Sequence, residues 1–171
     1  MTLALFEQID RLGRRLAPFV TTVLLVVLNA IPLPLPDYRT VMPLLPLMAV
    51  FYWALYRPAF MPAAAVFVIG VLEDVFSGAP LGFNALLFLV VHGLVRFQRR
   101  LLAGRGFFHV WAAFAAVMCV TGAVNYLSAT VVLGGAVRPE PALTQLLLTL
   151  VLFPCLAWVL VRVQRAFLPR L

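Results

Sequence analysis

Six apolar segments, at 16–35, 41–56, 59–76, 81–97, 107–133 and 142–163, take up most of this 171-residue chain and leave only short polar connections between them. A helix rises about 1.5 Å per residue, so roughly 20 mostly apolar residues cross the hydrocarbon core of a bilayer. Hydrophobic residues make up 64% of the chain and charged residues 11%, whereas a soluble domain carries about 25% charged residues. A water-soluble fold has no means of hiding that much apolar surface, so the excess must face lipid. The polar stretches at 7–15 and 96–106 are too short to fold by themselves. The expectation is an all-α integral membrane protein: a bundle of about six transmembrane helices over 16–171, preceded by a short cytoplasmic amphipathic segment at 1–15. The second and third segments are short and separated only by Arg57-Pro58. They fit a helical hairpin or a partly re-entrant pair.

The net charge of +7 comes from thirteen basic residues, all of them arginine. In a soluble protein such a balance would point to nucleic acid. Here the arginines flank the apolar segments, which is the ordinary device that orients membrane spans. With the N-terminus inside, Arg11, Arg14, Arg15, Arg57, Arg96, Arg99, Arg100, Arg105, Arg162, Arg165 and Arg170 are cytoplasmic. Only Arg39 and Arg138 then lie outside. Both termini are therefore placed in the cytoplasm, and nucleic acid is not an expected partner.

Residues 5–16 set Leu5, Phe6, Ile9, Leu12 and Leu16 at helical spacing with Glu7, Asp10, Arg11, Arg14 and Arg15 between them. That pattern fits an amphipathic helix on the inner leaflet, with a solvated N-terminus as the alternative. After Arg14-Arg15 the apolar run continues with no clear small-residue cleavage motif and reads as a retained first span. Pro32, Pro34 and Pro36 make the first outer connection extended and stiff.

Polar residues inside apolar segments are candidates for function. Glu73 and Asp74 stand at the outer end of the third span and point about 100° apart on a helix, so they form no acid–base couple. Asp74 shares a face with Gly70 and Gly78, where glycine lets another backbone approach. Its carboxylate is expected to accept hydrogen bonds from the turn at 77–82 or from the start of the fourth span. In that turn Gly78 can end one helix in a left-handed conformation, Pro80 suits the first turn of the next, and Asn84 lies one turn in. Asn125, near Thr121, Gly122 and Ser128, is the deepest polar residue and reads as glue between helices. A stripe of Ala112, Ala116, Cys119 and Ala123 suits close packing on the same helix. Pro154 should bend the sixth helix and free a carbonyl. Cys119 and Cys155 read as inert apolar thiols. His92 and His109 have no ligand-spaced neighbours, and no phosphate loop, nucleophile elbow or HExxH occurs. No metal site, cofactor or catalytic residue is expected.

The string GVLEDVFSGAPLG, from Gly70 through Asp74, Ser77, Gly78, Pro80 and Leu81 to Gly82, resembles the signature of the rod shape-determining protein MreD family. That family shows a glycine, an aspartate four residues later, and G-x-P-L-G opening the next helix. Pro43, Tyr52-Trp53 and Arg57-Pro58 resemble its second span, Arg138-Pro139-Glu140 its last outer loop, and Pro154 with a basic tail its ending. The resemblance implies a non-enzymatic, multi-pass component of the bacterial inner membrane that serves cell elongation and the organisation of peptidoglycan synthesis. Its implied partners are the bitopic protein MreC and, indirectly, an MreB-like filament, a SEDS-type glycosyltransferase and a class B penicillin-binding protein, besides membrane lipid. The family also resembles in fold the substrate-binding components of energy-coupling-factor vitamin transporters. A small-molecule-binding component or permease is thus the alternative function.

Overall fold

The computed structural model describes residues 2–31, 42–102, 104–133 and 139–167. Among these residues there are six α-helices and no strand. The helices are α1 (Thr2–Ala30), α2 (Leu45–Tyr56), α3 (Ala63–Ser77), α4 (Phe83–Leu102), α5 (Phe107–Leu133) and α6 (Glu140–Phe167), with one 3-10 turn at Pro58–Phe60.

Prolines and glycines account for most of the boundaries. The α1 helix stops at Ala30, because Ile31 precedes Pro32 and is pushed out of the helical region. Residues 2–15 are helical and run without a break through Pro18 into the first apolar segment. The second and third helices are shorter than their apolar segments. Pro43 turns the chain ahead of α2, with Leu45 N–H donating to the Pro43 carbonyl at 2.9 Å. Pro58 opens the 3-10 turn, and extended Pro62 precedes α3. The α3 helix ends where Gly78 takes φ 71° and its N–H donates to the Asp74 carbonyl at 3.0 Å, a left-handed cap that suits glycine.

Consecutive helices run in alternating directions. One end of the bundle gathers Asn29 of α1, Met42 ahead of α2, the α3–α4 turn, Asn125 of α5 and Gln145 of α6. The other end joins Tyr52 of α2 to Gln164 of α6 and Leu55 of α2 to Arg99 of α4.

The hub is α2. Every residue from Pro46 to Leu55 is buried, as expected only of a helix that is apolar all round and enclosed by others. It packs against α1, α3, α4 and α6. Phe51 of α2 meets Phe114 of α5 edge-on at 5.1 Å and Phe153 of α6 at 5.8 Å, and Phe114 stacks on Phe153 at 4.1 Å. Such ring pairs add roughly 0.5–1.5 kcal/mol each beyond the area they cover. Polar contacts fix both ends of α2 to α6. Gln145 Nε2 donates to the Met42 carbonyl at 2.8 Å, Leu44 N–H to Thr149 Oγ1 at 3.3 Å, and the Tyr52 hydroxyl to Gln164 Oε1 at 2.9 Å.

The outer helices behave differently. Stretches of α5 (Phe107–Val131) and α6 (Glu140–Ala166) are long and apolar enough to cross a membrane, yet their most apolar windows are only 28% and 22% buried. Val131 and Val151 are 81% and 71% exposed. The core helix of a soluble protein is mostly enclosed, whereas these two leave apolar surface outward, which is consistent with membrane insertion. Leu16–Ala30 and α2 are apolar but shorter.

One packing expectation is overturned. Ala112, Ala116, Cys119 and Ala123 are exposed on the outside of α5. The face turned inward carries Val110, Phe114, Val117, Met118 and Thr121. The space between α5, α2 and α6 is wide enough to need aromatic and Met side chains, and alanine would leave it empty.

Candidate functional site: the α3–α4 hairpin and the cavity beside it

Helices α3 and α4 cross in close backbone contact at Gly70. A Cβ added at Gly70 would stand 2.3 Å from the Ala85 Cα and 2.8 Å from its backbone N, closer than real Cβ atoms come. Only glycine permits this crossing. At Gly78 a Cβ would meet nothing within 4 Å, so its requirement is conformational and the expected close approach belongs to Gly70 alone.

Asp74 ties the two helices together four residues after Gly70. Its Oδ2 accepts from the Gly82 N–H and its Oδ1 from the Asn84 N–H, both at 2.8 Å. The residue is 1% exposed. A buried carboxylate survives only when its oxygens are bonded, and each charge-assisted bond of this kind contributes about 1.5–3 kcal/mol. Both donors belong to the start of α4, whose first N–H groups have no helical partner and whose dipole favours an anion. Asp74 therefore caps α4 from the neighbouring helix. The turn between them differs in detail from expectation. Helix α4 begins at Phe83, and Pro80 lies ahead of it in the turn, its carbonyl accepting the Phe83 N–H at 3.1 Å. Gly82 takes φ 96°, which aims its N–H at Asp74. Leu81 is 76% exposed at the turn.

Glu73 faces the other way. It is 5% exposed, and its Oε1 accepts from Asn29 Nδ2 of α1 at 3.1 Å. The second carboxylate oxygen, Oε2, and the Asn29 Oδ1 are buried with no partner among the described residues. Both residues line a cavity of about 330 Å³ that also takes in Asn84, Asn125 and Gln145. Apolar walls come from Val26, Leu44, Phe76 and Phe83. Among the described residues no group of three His, Cys, Asp or Glu could hold a metal ion.

The family model for the rod shape-determining protein MreD matches residues 10–163. The chain belongs to the MreD family. No curated protein and no solved structure matches it. Membership makes it a membrane protein with a role in rod-shape determination, within a system that includes MreC-like proteins. In this MreD-family chain the 70–82 stretch is a tightly crossed, internally capped hairpin, and Gly70, Asp74, Gly78, Pro80, Gly82 and Asn84 come together there. Asn125 belongs to the cavity wall, across from the hairpin. Pro154 stands apart. It has no N–H to give the carbonyl of Leu150 four residues back, and Trp111 Nε1 of α5 donates to that carbonyl at 3.2 Å. Arg138 lies outside the described residues. Three residues that sequence reasoning did not assign to a site, Asn29, Glu73 and Gln145, supply most of the cavity's polarity. Hydropathy alone carries no sign of them, since Asn29 meets Glu73 across 44 residues.

Elsewhere buried polar groups serve the packing of the bundle. His92 Nε2 pairs with the Met61 carbonyl at 2.9 Å, holding the loop ahead of α3 against α4. Arg99 Nε donates at 3.0 Å to the Leu55 carbonyl, one of the last four in α2 and so without a helical donor. Cys119 and Cys155 are exposed free thiols.

Proposed function

We propose that this chain is a non-enzymatic inner-membrane scaffold of the bacterial rod-shape machinery, holding partner membrane proteins while peptidoglycan synthesis is organised. The observation that carries the reading is the family match over 10–163, nearly the whole chain. All six helices are taken to cross the inner membrane, with 1–15 as a cytoplasmic amphipathic segment, 16–171 as the membrane domain and both termini inside. Alternating helix direction supports this. It sets Arg57, Arg99 and Arg162 at the end away from the Asp74 hairpin, in keeping with the positive-inside rule. The short α2 is no obstacle, because a helix enclosed by protein does not have to match the bilayer thickness. The direct partner proposed is an MreC-like bitopic protein. An MreB-like filament, a SEDS-type glycosyltransferase and a class B penicillin-binding protein are reached through it.

Depleting the protein from a rod-shaped host should make cells widen and round, and unchanged width after confirmed loss would refute the elongation role. Reporter fusions after Arg15, Arg100 and Arg170 should read as cytoplasmic and one after Arg138 as external. The competing reading, a vitamin-like binding component or permease with a fold like that of energy-coupling-factor substrate subunits, draws support from the cavity. Purification in mild detergent separates the two. Recovery of MreC-like and cell-wall synthesis proteins supports the scaffold, and a bound vitamin with an ATPase module supports transport.

A further inference from the structure

The cavity beside the hairpin contains chemistry that a purely structural role leaves unused. Asp74 spends both carboxylate oxygens on the α4 cap. Glu73, its neighbour, spends one oxygen on Asn29 and keeps Oε2 free, and Asn29 Oδ1 is equally unpaired. Both residues line the cavity, and Glu73 is 5% exposed. Two buried acceptors without donors are costly in a medium of low dielectric, and a ligand that brings donors removes the cost.

The lining decides which donors fit. Among the described residues no arginine borders the cavity, and Glu73 is the only ionisable one in its wall. An anion would meet a carboxylate with no cation to offset it. A purely apolar guest would leave both acceptors unpaired, and a single hydroxyl brings one donor for two of them. A protonated primary amine brings three N–H donors and the opposite charge. Val26, Leu44, Phe76 and Phe83 offer apolar contact to the carbon chain that bears it. A volume of about 330 Å³ falls within the roughly 300–1,000 Å³ usual for small-molecule sites. It holds a headgroup and a short length of chain, not a whole lipid.

The geometry points to a binding site for a protonated primary amine carried on an apolar body, with Glu73 Oε2 and Asn29 Oδ1 accepting its N–H groups. The amine can be the headgroup of an aminophospholipid or a free amphiphilic amine. This site goes beyond the cell-shape role and stands on the cavity alone, so its failure would leave that role untouched.

The test uses the full chain, purified in neutral detergent, with binding followed by native mass spectrometry and thermal melting. The probes are phosphatidylethanolamine against phosphatidylcholine and phosphatidylglycerol, and octylamine against octanol. Each primary amine should bind about ten-fold tighter or more than its amine-free counterpart. Preference confined to phosphatidylethanolamine identifies the lipid as the source, and preference confined to octylamine identifies a free amine. Glu73→Gln keeps the side chain's shape and should abolish the preference while melting no lower than the parent without ligand. Ala79→Phe, in the turn that lines the cavity, leaves Glu73 intact, fills the space and should also lose amine binding. It decides the matter if Glu73→Gln does not fold. Equal binding of amine and control probes by the parent chain overturns the proposal, as does a preference that survives either substitution.

Discussion

Helices α2 and α5 are both apolar along their length, yet α2 is sealed inside the bundle and α5 turns most of its surface outward. In water the more apolar helix would take the centre. In a bilayer the tails are as apolar as leucine, so hydrophobicity ranks nothing. What sorts the two helices is shape and polar attachment. Helix α2 offers Phe51 to a cluster of three rings and is bonded to α6 through Met42, Leu44 and Tyr52. Helix α5 presents one packed face, led by Phe114 and Met118, and leaves Val120, Leu127 and Val131 outside.

Paired substitutions would break this contrast most sharply. Phe51→Ala removes the ring that bridges α5 and α6 and should cost about 3–5 kcal/mol, seen as a lower melting temperature in detergent. Leu127→Ala, at a side chain 62% exposed, should change stability by less than about 0.5 kcal/mol. Equal losses at the two positions would mean that α2 is not the hub.

A smaller effect is expected where attachment is polar. Asp74→Ala strands the Gly82 and Asn84 N–H groups and should cost about 2–3 kcal/mol, weakening recovery of an MreC-like partner as the hairpin loosens. Asp74→Asn retains an acceptor and should lose less on both measures. If both variants abolish function equally while stability is unchanged, the carboxylate acts as an ionisable site and the structural account fails.

The smallest effect belongs to α5. Trp111→Phe keeps an aromatic ring, though a smaller one, and gives up the bond to the Leu150 carbonyl, for a loss of about 1 kcal/mol. Placing Pro154→Ala in the same chain returns a helical N–H to that carbonyl. The double variant should then recover most of the loss, measured as non-additivity of the two melting shifts.

Legibility in the sequence followed the range of the interaction. The six helical segments could be read because apolar length is a local property, while several ends moved: prolines delayed the starts of α2 and α3, α1 stopped at Ala30, and α4 and α6 ran on to Leu102 and Phe167. The Asp74 cap was readable for the same reason, since its donors lie eight and ten residues away. The freed carbonyl in α6 could be anticipated from Pro154, though not its donor Trp111, 39 residues from Leu150. The role of Glu73 is not legible locally, because its partner is on α1 and its other oxygen borders a space that exists only once the helices are assembled. The alanine stripe of α5 suits close packing by the rule that small residues let helices approach, yet it lies on the outside of the bundle. That rule holds where backbones cross tightly, as at Gly70, and fails where aromatic rings fill a wider gap.

The enclosed position of α2 also dictates an order of events during synthesis. At 12 residues it extends about 18 Å, well short of the roughly 30 Å hydrocarbon core, and by itself makes a poor span. Its sheath includes α6, which is made well after it, and the bonds from Leu44 to Thr149 and from Tyr52 to Gln164 reach across 105 and 112 residues. Helix α2 must therefore wait for α6 before it is fully enclosed. A chain truncated ahead of α6 would expose the hub of the bundle and present quality-control proteases with an unfinished protein.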